Sequence, residues 1–308
     1  MDFNHIPVFL QEALNALQLK SDGFYVDCTA GGGGHSSPIA KTIKEGRLLA
    51  IDRDPQAIEV LKERLAAYPS VELVLDNFTN IKQILSQRSI KGLDGILVDL
   101  GVSSHQLDSP ERGFSYHNDA PLDMRMGMEG IRAADIINTR SQKDLQKILY
   151  QYGEEKFAPS ISRAIVRQRQ LKPIETTLEL VEVIKSAIPA AARREGGHPA
   201  RRTFQALRIE VNGELERLQE TLRDMFDVLY PGGRLVVISF HSLEDRIVKN
   251  TFKEFCTGCV CPRDFPICVC GQKPQGRLPH KLIKPDAKQI QENPRSRSAK
   301  LRTIEKLQ

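Results

Sequence analysis

The stretch Tyr25-Val26-Asp27-Cys28-Thr29-Ala30-Gly31-Gly32-Gly33-Gly34-His35 constrains this chain more than any other. A short β-branched and aromatic strand runs into four consecutive glycines, and a helix start follows at His35-Ser36-Ser37. Glycines at a strand-to-helix turn allow positive φ, and they let backbone N–H groups approach a ligand with no Cβ in the way. A second strand, Arg47–Ile51, ends at Asp52, about twenty residues past the turn, where a carboxylate is placed to hold a ribose diol. The glycines alone fit a plain loop between buried strands equally well. Asp52 at that offset favours the nucleoside-binding reading.

The next hundred residues alternate strand and helix. An amphipathic helix over 7–20 leads in. After Asp52 come a helix Pro55–Ala67 with proline in its first turn, a strand Val71–Leu75, a helix Ile81–Gln87 and a strand Gly95–Val98. Apolar strands joined by helices predict a parallel sheet covered on both faces, with ligands at the carboxyl ends of the strands. Those ends read Asp27/Gly31, Asp52, Asp76-Asn77-Phe78 and Asp99, so acidic groups and one aromatic ring are expected along a single sheet border.

The alternation then stops. From about Gln106 to Glu210 the pattern is helical: Ser141–Tyr152 behind a serine cap, Pro159–Gln170, Thr177–Ala187 behind a Thr176/Glu179 capping box, and Thr203–Val211. The α/β pattern resumes afterwards, so the helical block reads as an insertion and not a tail. Leu215, Leu218, Leu222, Phe226 and Leu229 predict one long helix stopped by Pro231-Gly232-Gly233, followed by a fifth strand Arg234–Phe240 and a helix Glu244–Phe255. Lys281–Lys284 and Leu301–Leu307 are expected to pair as two terminal strands. The expected organisation is therefore a first part of the sheet domain over 1–105, a helical substrate-recognition insert over 106–212, and the remainder of the sheet domain over 213–308. Residues 191–199 and 256–279 read as linker-like.

A nicotinamide dinucleotide is one rival for the glycine turn, yet its fingerprint is incomplete, with Ser36 at the third glycine position. The charges are more telling. A pyrophosphate is repelled by Asp27, Asp52, Asp76 and Asp99, whereas a nucleoside carrying a sulfonium is attracted by them. S-adenosylmethionine suits this border and NAD does not. With 40% apolar residues the chain can bury a true core, no apolar run approaches a membrane span, and Met1-Asp2-Phe3-Asn4-His5 lacks a basic start or apolar stretch. A cytoplasmic location without membrane contact is expected, and the net charge of +5 suits a polyanionic partner.

Residues Cys28–Ser36, Leu48–Pro55, Asp94–Leu107, Glu111–Tyr116, Pro121–Met126, Arg202–Val211 and Ile238–Lys249 closely resemble the bacterial MraW/RsmH family. Leu122-Asp123-Met124-Arg125-Met126 and Ser239-Phe240-His241-Ser242-Leu243-Glu244-Asp245-Arg246 carry most of that specificity. The resemblance implies a Rossmann-like class I methyltransferase sheet, mostly parallel with an antiparallel edge strand, and an inserted all-helical domain. It implies S-adenosylmethionine-dependent methylation of the N4 amine of a cytidine in small-subunit (16S) ribosomal RNA, near the decoding centre. The partner would be that RNA or the assembled small subunit. It also implies cofactor contacts at Gly33, Gly34, His35, Asp52, Phe78, Asp99 and Gln106. A DNA amino-methyltransferase, or an assembly factor that binds the cofactor without turnover, are the alternatives.

An exocyclic cytosine amine is a poor nucleophile because its lone pair is delocalised, and an acceptor for its N–H helps pyramidalise the nitrogen and aim that lone pair. Asp99 is the catalytic candidate, with binding of the cofactor's methionine portion as its alternative role. The segment after it, Leu100-Gly101-Val102-Ser103-Ser104, lacks the Pro-Pro-aromatic signature of many amino-methyltransferases. Phe114, Tyr116, Phe240 and His241 are therefore candidates to stack a flipped base, with core packing the alternative for each. Attack at cytosine C5 would need a thiolate, and the one cysteine near this border, Cys28, reads as a buried hydrophobe.

Basic residues bunch at Arg193, Arg194, Arg201, Arg202 and Arg208, and again at Arg295, Arg297, Lys300 and Arg302, both suited to phosphate contacts, with a solvated helix face as the alternative. Five of the six cysteines crowd into Cys256, Cys259, Cys261, Cys268 and Cys270. Their spacing admits a structural zinc or a loop of idle thiols.

Overall fold

A computed structural model describes residues 7–194, 197–259, 261 and 270–307. The chain forms two compact units, one made of residues 1–101 and 215–308, the other of 102–214.

The first unit opens with α1 (Leu10–Leu17), β1 (Phe24–Asp27), α2 (Ser36–Thr42), β2 (Arg47–Asp52), α3 (Pro55–Arg64), β3 (Val71–Leu75), α4 (Ile81–Gln87) and β4 (Leu93–Asp99). Strands β1, β2 and β4 end on the predicted Asp27, Asp52 and Asp99, and β3 stops at Leu75, one residue before Asp76. Helix α3 starts where Pro55 supplies a preset φ and the Asp54 side chain accepts from Gln56 N–H.

The second unit holds α5 (Ser104–Asp108), α6 (Ala133–Thr139), α7 (Gln142–Gly153), α8 (Ala158–Leu171), α9 (Thr177–Ala187), α10 (Ala190–Arg193) and α11 (Arg201–Asn212). Ser141 caps α7, and Thr176 with Glu179 forms the predicted capping box of α9. Its core includes Leu145, Ile148, Ile161, Ile165, Leu180, Ile184, Phe204 and Leu207. The segment Leu122–Met126, so distinctive in sequence, is a plug in that core: Leu122, Met124 and Met126 are buried. Asn212 fixes it from α11, accepting from Met126 N–H and donating to Met124 C=O, each at 2.8 Å.

The first unit then resumes with α12 (Leu218–Asp227), β5 (Leu229–Ser239), α13 (Ser242–Cys256), β6 (Gly276–Arg277), α14 (Ala287–Glu292) and β7 (Lys300–Lys306). The sheet order is β3-β2-β1-β4-β5-β7-β6. Strands β3, β2, β1, β4 and β5 are parallel, and β7 runs antiparallel to both β5 and β6. Side chains alternate between faces as a pleated strand requires. Val26, Leu49, Ile96, Val98 and Val237 join one core with α4, α12 and α13. Tyr25, Leu48, Leu97, Val236 and Ile238 join the other with α1 and α2. Among the described residues no helix is long and apolar enough to cross a membrane.

Three expectations are corrected. The helix meant to end at Pro231-Gly232-Gly233 ends at Asp227, and Leu229 already belongs to β5, opposite Leu93. The Pro-Gly-Gly segment is an irregularity inside the strand, since pairing jumps from Leu93↔Leu229 to Gly95↔Arg234. Gly232 takes φ 81°, and a Cβ on Gly233 would lie 2.9 Å from Leu93 C=O, so a bulge is the one way past for this backbone. The partner of the terminal strand is Gly276–Arg277, whereas Lys281–Lys284 contributes only the bridge Ile283↔Leu301. Strand β6 lies outside β7 and pairs with it antiparallel, so the sheet does end in an antiparallel edge strand. Finally, Cys28 sits one residue past β1, and burial pushes its thiol well above the usual range.

Candidate active site

The turn after β1 is tethered to the strands on either side of it. Cys28 N–H donates to Leu97 C=O on β4, and Ala30 N–H donates to Ile51 C=O on β2, each at 2.9 Å. Gly33 N–H closes a turn on Ala30 C=O at 2.7 Å. Its φ of 80° suits glycine, and a Cβ there would press on Leu61 at 3.0 Å. The turn is thus held by β2 and β4 on either side and by α2, whose Ser37 Oγ donates to Gly33 C=O at 2.7 Å.

Three carboxylates meet around this turn. Asp27 accepts from Ser36 Oγ at 2.6 Å and from Thr29 N–H at 3.1 Å. Burial pushes its carboxyl up to about 6, although both hydrogen bonds pull the other way. Asp52 accepts from Gly31 N–H at 2.7 Å with one oxygen and from Asp54 N–H at 2.8 Å with the other. Burial raises it to about 6 as well, with those hydrogen bonds opposing. Each Asp52 oxygen keeps a lone pair for a further donor, as a diol contact requires.

Asp99 is the least satisfied of the three. Its backbone N–H donates to Thr29 Oγ1 at 2.7 Å, which locks the end of β4 to the turn. Its side chain is 25% exposed, yet Oδ1 is sealed from solvent and has no hydrogen-bond partner among the described residues. Burial, then the charges of Asp27 and Glu244, hold this carboxyl well above the ordinary range. His35 Nδ1 lies 3.9 Å from Asp99 Oδ2. Burial lowers His35 to about 4, so the ring is neutral and this approach is not an ion pair. Nε2, 3.2 Å from Val8 C=O, carries the ring proton. Nδ1 and Oδ2 are then two acceptors facing each other, and a donor or cation between them would satisfy both.

Asp76 follows β3 and accepts from Asn77 N–H and Asn80 Nδ2 at 2.6 and 2.8 Å. Phe78 begins the short turn after it, half-buried against the core beneath the sheet. Gly34 N-terminally adjoins His35, the N-cap of α2, and a Cβ on it would run into Pro7. Gln106 lies in the other unit, where its carboxamide accepts from Ser103 N–H at 3.1 Å and donates to Met126 C=O at 3.3 Å.

Of the stacking candidates, Phe114 belongs to the core of the second unit and Phe240 packs half-buried on the sheet. His241 is the N-cap of α13, forming a capping box with Glu244, so its ring has a structural task. Tyr116 is half-buried and stacks on His198 with centroids 4.5 Å apart. Glu244 was not singled out in sequence as a site residue. Its carboxylate accepts from Phe240 and His241 N–H at 2.8 and 3.2 Å, and its charge bears on Asp99. The Phe-His-x-x-Glu spacing of a capping box was the available signal.

Both basic clusters shrink in the structure. Arg208 makes a two-pronged pair with Glu214 at 2.8 Å on each branch. Lys300 and Arg302 both hold Asp245 at 2.7 Å. Arg201 and Arg202 remain exposed, with Arg202 also donating to Glu154 C=O. Cys268 lies outside the described residues; Cys259, Cys261 and Cys270 come together, and Cys256 stands apart from them.

A parallel sheet with aspartates at its strand ends, a glycine turn pinned between two of them, and an antiparallel β7 beyond β5 define a Rossmann-like methyltransferase. The MraW methylase family model matches residues 2–307. Ribosomal RNA small subunit methyltransferase H of Halothermothrix orenii is 53% identical over 306 residues, covering 98% of each chain. The proteins of that name from Brevibacillus brevis and Symbiobacterium thermophilum are 53% and 50% identical, over all of this chain and 99% and 98% of theirs. The chain belongs to the MraW methylase family.

Proposed function

We propose that this protein transfers a methyl group from S-adenosylmethionine to the N4 amine of a cytidine in small-subunit ribosomal RNA, near the decoding centre. The observation that carries the cofactor reading is the sealed Asp99 Oδ1, without a partner among the described residues, beside two further carboxylates that burial has raised. A bound cation would offset the repulsion among them, and a pyrophosphate would add to it. The RNA target is supported by the curated relatives, whose name is that of a small-subunit ribosomal RNA methyltransferase.

S-adenosylmethionine supplies an electrophilic methyl group, so this chain's residues have to position more than activate. Alignment of nucleophile and methyl carbon is worth roughly 7–11 kcal/mol in such transfers. In this reading Asp52 accepts from the ribose hydroxyls, Phe78 offers a ring face to adenine, and Gly33, Gly34 and His35 leave room along the turn. Gln106 is the remaining cofactor contact that the family resemblance implies, and the helical unit serves substrate recognition. Asp99 accepts from the cytosine amine, aims its lone pair, and takes the proton that the nitrogen loses after methylation. A carboxyl raised by burial is a better base for that step than an exposed one.

The carboxylates make binding pH-dependent. Asp27 and Asp52 sit at about 6 in the folded protein against 3.8 ordinarily. Their contribution to stability is full below that ordinary value and is lost as pH rises through about 6. A cationic ligand reverses the preference and expels protons. Cofactor affinity is therefore expected to be at least about tenfold weaker at pH 5 than at pH 7.5, with proton release near pH 6. Calorimetry in two buffers of different ionisation enthalpy measures both, and a pH-independent Kd would remove the carboxylates from the site.

Arg201 and Arg202 are the exposed basic pair on α11. Their double alanine variant should reduce the slope of log K against log salt for RNA binding by about 1.4–1.8, as two lost phosphate contacts require. An unchanged slope means that they touch no phosphate. The function itself is tested by mass mapping of modified nucleosides in small-subunit RNA from cells with and without the protein, alongside methylation assays on subunits and on deproteinised DNA. Loss of one N4-methylated cytidine without the protein is expected. A full complement of modified nucleosides in its absence, with DNA methylated in vitro, would select the DNA enzyme instead.

A further inference from the structure

The excursion between α13 and β6, residues 257–275, runs without helix or strand among its described residues. Its two arms are held at the base: Gln275 N–H donates to Phe255 C=O at 2.9 Å, and Gly258 packs against Pro274. Long irregular loops in compact units need something to hold them, and this one has little secondary structure or apolar packing at its described ends to do so. What it has is sulfur. The thiol sulfurs of Cys259, Cys261 and Cys270 all lie within 4.8 Å of one another.

The spacing distinguishes the chemistries open to them. Cys259 and Cys270 Sγ are 3.7 Å apart, far beyond the roughly 2.05 Å of a disulfide. Two thiolates at about 2.3 Å from one tetrahedral zinc stand about 3.8 Å apart. We propose that Cys259, Cys261 and Cys270 form a structural Zn²⁺ site that clips the two arms of this loop together. Cys259 and Cys261 come from the outgoing arm and Cys270 from the returning one, so one ion closes the excursion. Binding converts three thiols to thiolates and releases three protons to solvent, and the fourth corner of the tetrahedron accepts a further donor. Cys256 is not part of the set: burial raises its thiol, and its hydrogen bond is to the Leu278 backbone. The site is independent of the methyltransfer reading.

Full-length protein expressed with added zinc and purified without chelator should carry about one zinc per chain by elemental mass spectrometry. Replacing zinc with Co²⁺ should give the ultraviolet thiolate-to-cobalt charge-transfer band. The Cys259→Ser/Cys261→Ser variant should lose both signals, and Cys256→Ser should keep both. Should the double variant be insoluble, alkylation of the natural protein decides: zinc should protect Cys259, Cys261 and Cys270, and a chelator should expose them. A metal-free protein that develops no cobalt band, a Cys259–Cys270 disulfide in its peptides, equal alkylation with and without zinc, or loss of metal in Cys256→Ser would each overturn the assignment.

Discussion

Asp99→Ala is expected to lower methyl transfer to small-subunit RNA by at least about 10³-fold at saturating cofactor, within the range of a positioned general base. The same variant should melt at a higher temperature than the natural protein when no ligand is bound. Both expectations come from one arrangement. The carboxylate is held by β4 and by the Thr29 hydroxyl at its backbone, while Oδ1 is sealed with no partner among the described residues and Asp27 and Glu244 repel it. Such a group destabilises the resting protein, and its retention needs a reason outside folding. Single-turnover rates separate its two candidate roles. If Asp99 holds only the cofactor, calorimetry will show a weaker Kd while the rate at saturation survives. If it also accepts from the amine, the saturated rate collapses, and Asp99→Asn, which keeps the shape and one acceptor, should recover a small part of it. Unaltered turnover in Asp99→Ala removes the residue from the mechanism.

Why the sequence foretold this border so closely, and other parts poorly, is a matter of range. Leu48–Ile51 and Ile96–Val98 are unbroken apolar runs closed by aspartate, and both facts are local. The same holds for the capping box at Thr176 and Glu179, whose reciprocal bonds span three residues. Register is not local. Pro231-Gly232-Gly233 carries the composition of a helix stop, and only the pairing of Leu229 with Leu93 turns it into a bulge within a strand. Gly276–Arg277 is too short to show any period, and it is a strand because Arg277 meets Glu305 across it. Arg208 looked like a phosphate ligand until Glu214, six residues away around the end of α11, claimed both its branches. At the site, the charge pattern of the strand ends could be read, but not that, of Asp27, Asp52 and Asp99, it is Asp99 that keeps a buried oxygen with no donor among the described residues. That depends on which neighbours the tertiary fold brings within reach, and Thr29 Oγ1 meets Asp99 as an acceptor, at the backbone N–H.

Glu305→Ala should produce the largest loss of stability of any single change on the sheet, about 3–5 kcal/mol, because it strands a buried guanidinium. Arg234 on β5 and Glu305 on β7 are directly paired, with side chains 8% and 9% exposed. Arg234 grips one carboxylate oxygen through two nitrogens at 3.1 and 2.8 Å, and Arg277 on β6 takes the other at 3.0 and 2.6 Å. Burial alone would raise the Glu305 carboxyl, yet these two cations hold it below its usual range. Arg277 is 64% exposed and can turn to solvent when its partner goes. Arg234 cannot, since its remaining branch is fixed on Ala16 C=O at 3.0 Å under α1. The loss should therefore fall on Arg234, and Arg277→Ala should cost no more than about 1 kcal/mol. Replacing both buried partners, as Arg234→Met with Glu305→Leu, should restore most of the stability, because apolar side chains of similar volume need no counter-charge. Urea unfolding followed by far-ultraviolet circular dichroism gives the ranking, and hydrogen exchange on β5 and β7 amides shows whether the damage is local. If Glu305→Ala and Arg277→Ala prove equally mild, water reaches Arg234, and the antiparallel side of the sheet is held by its ladder instead of by this triad.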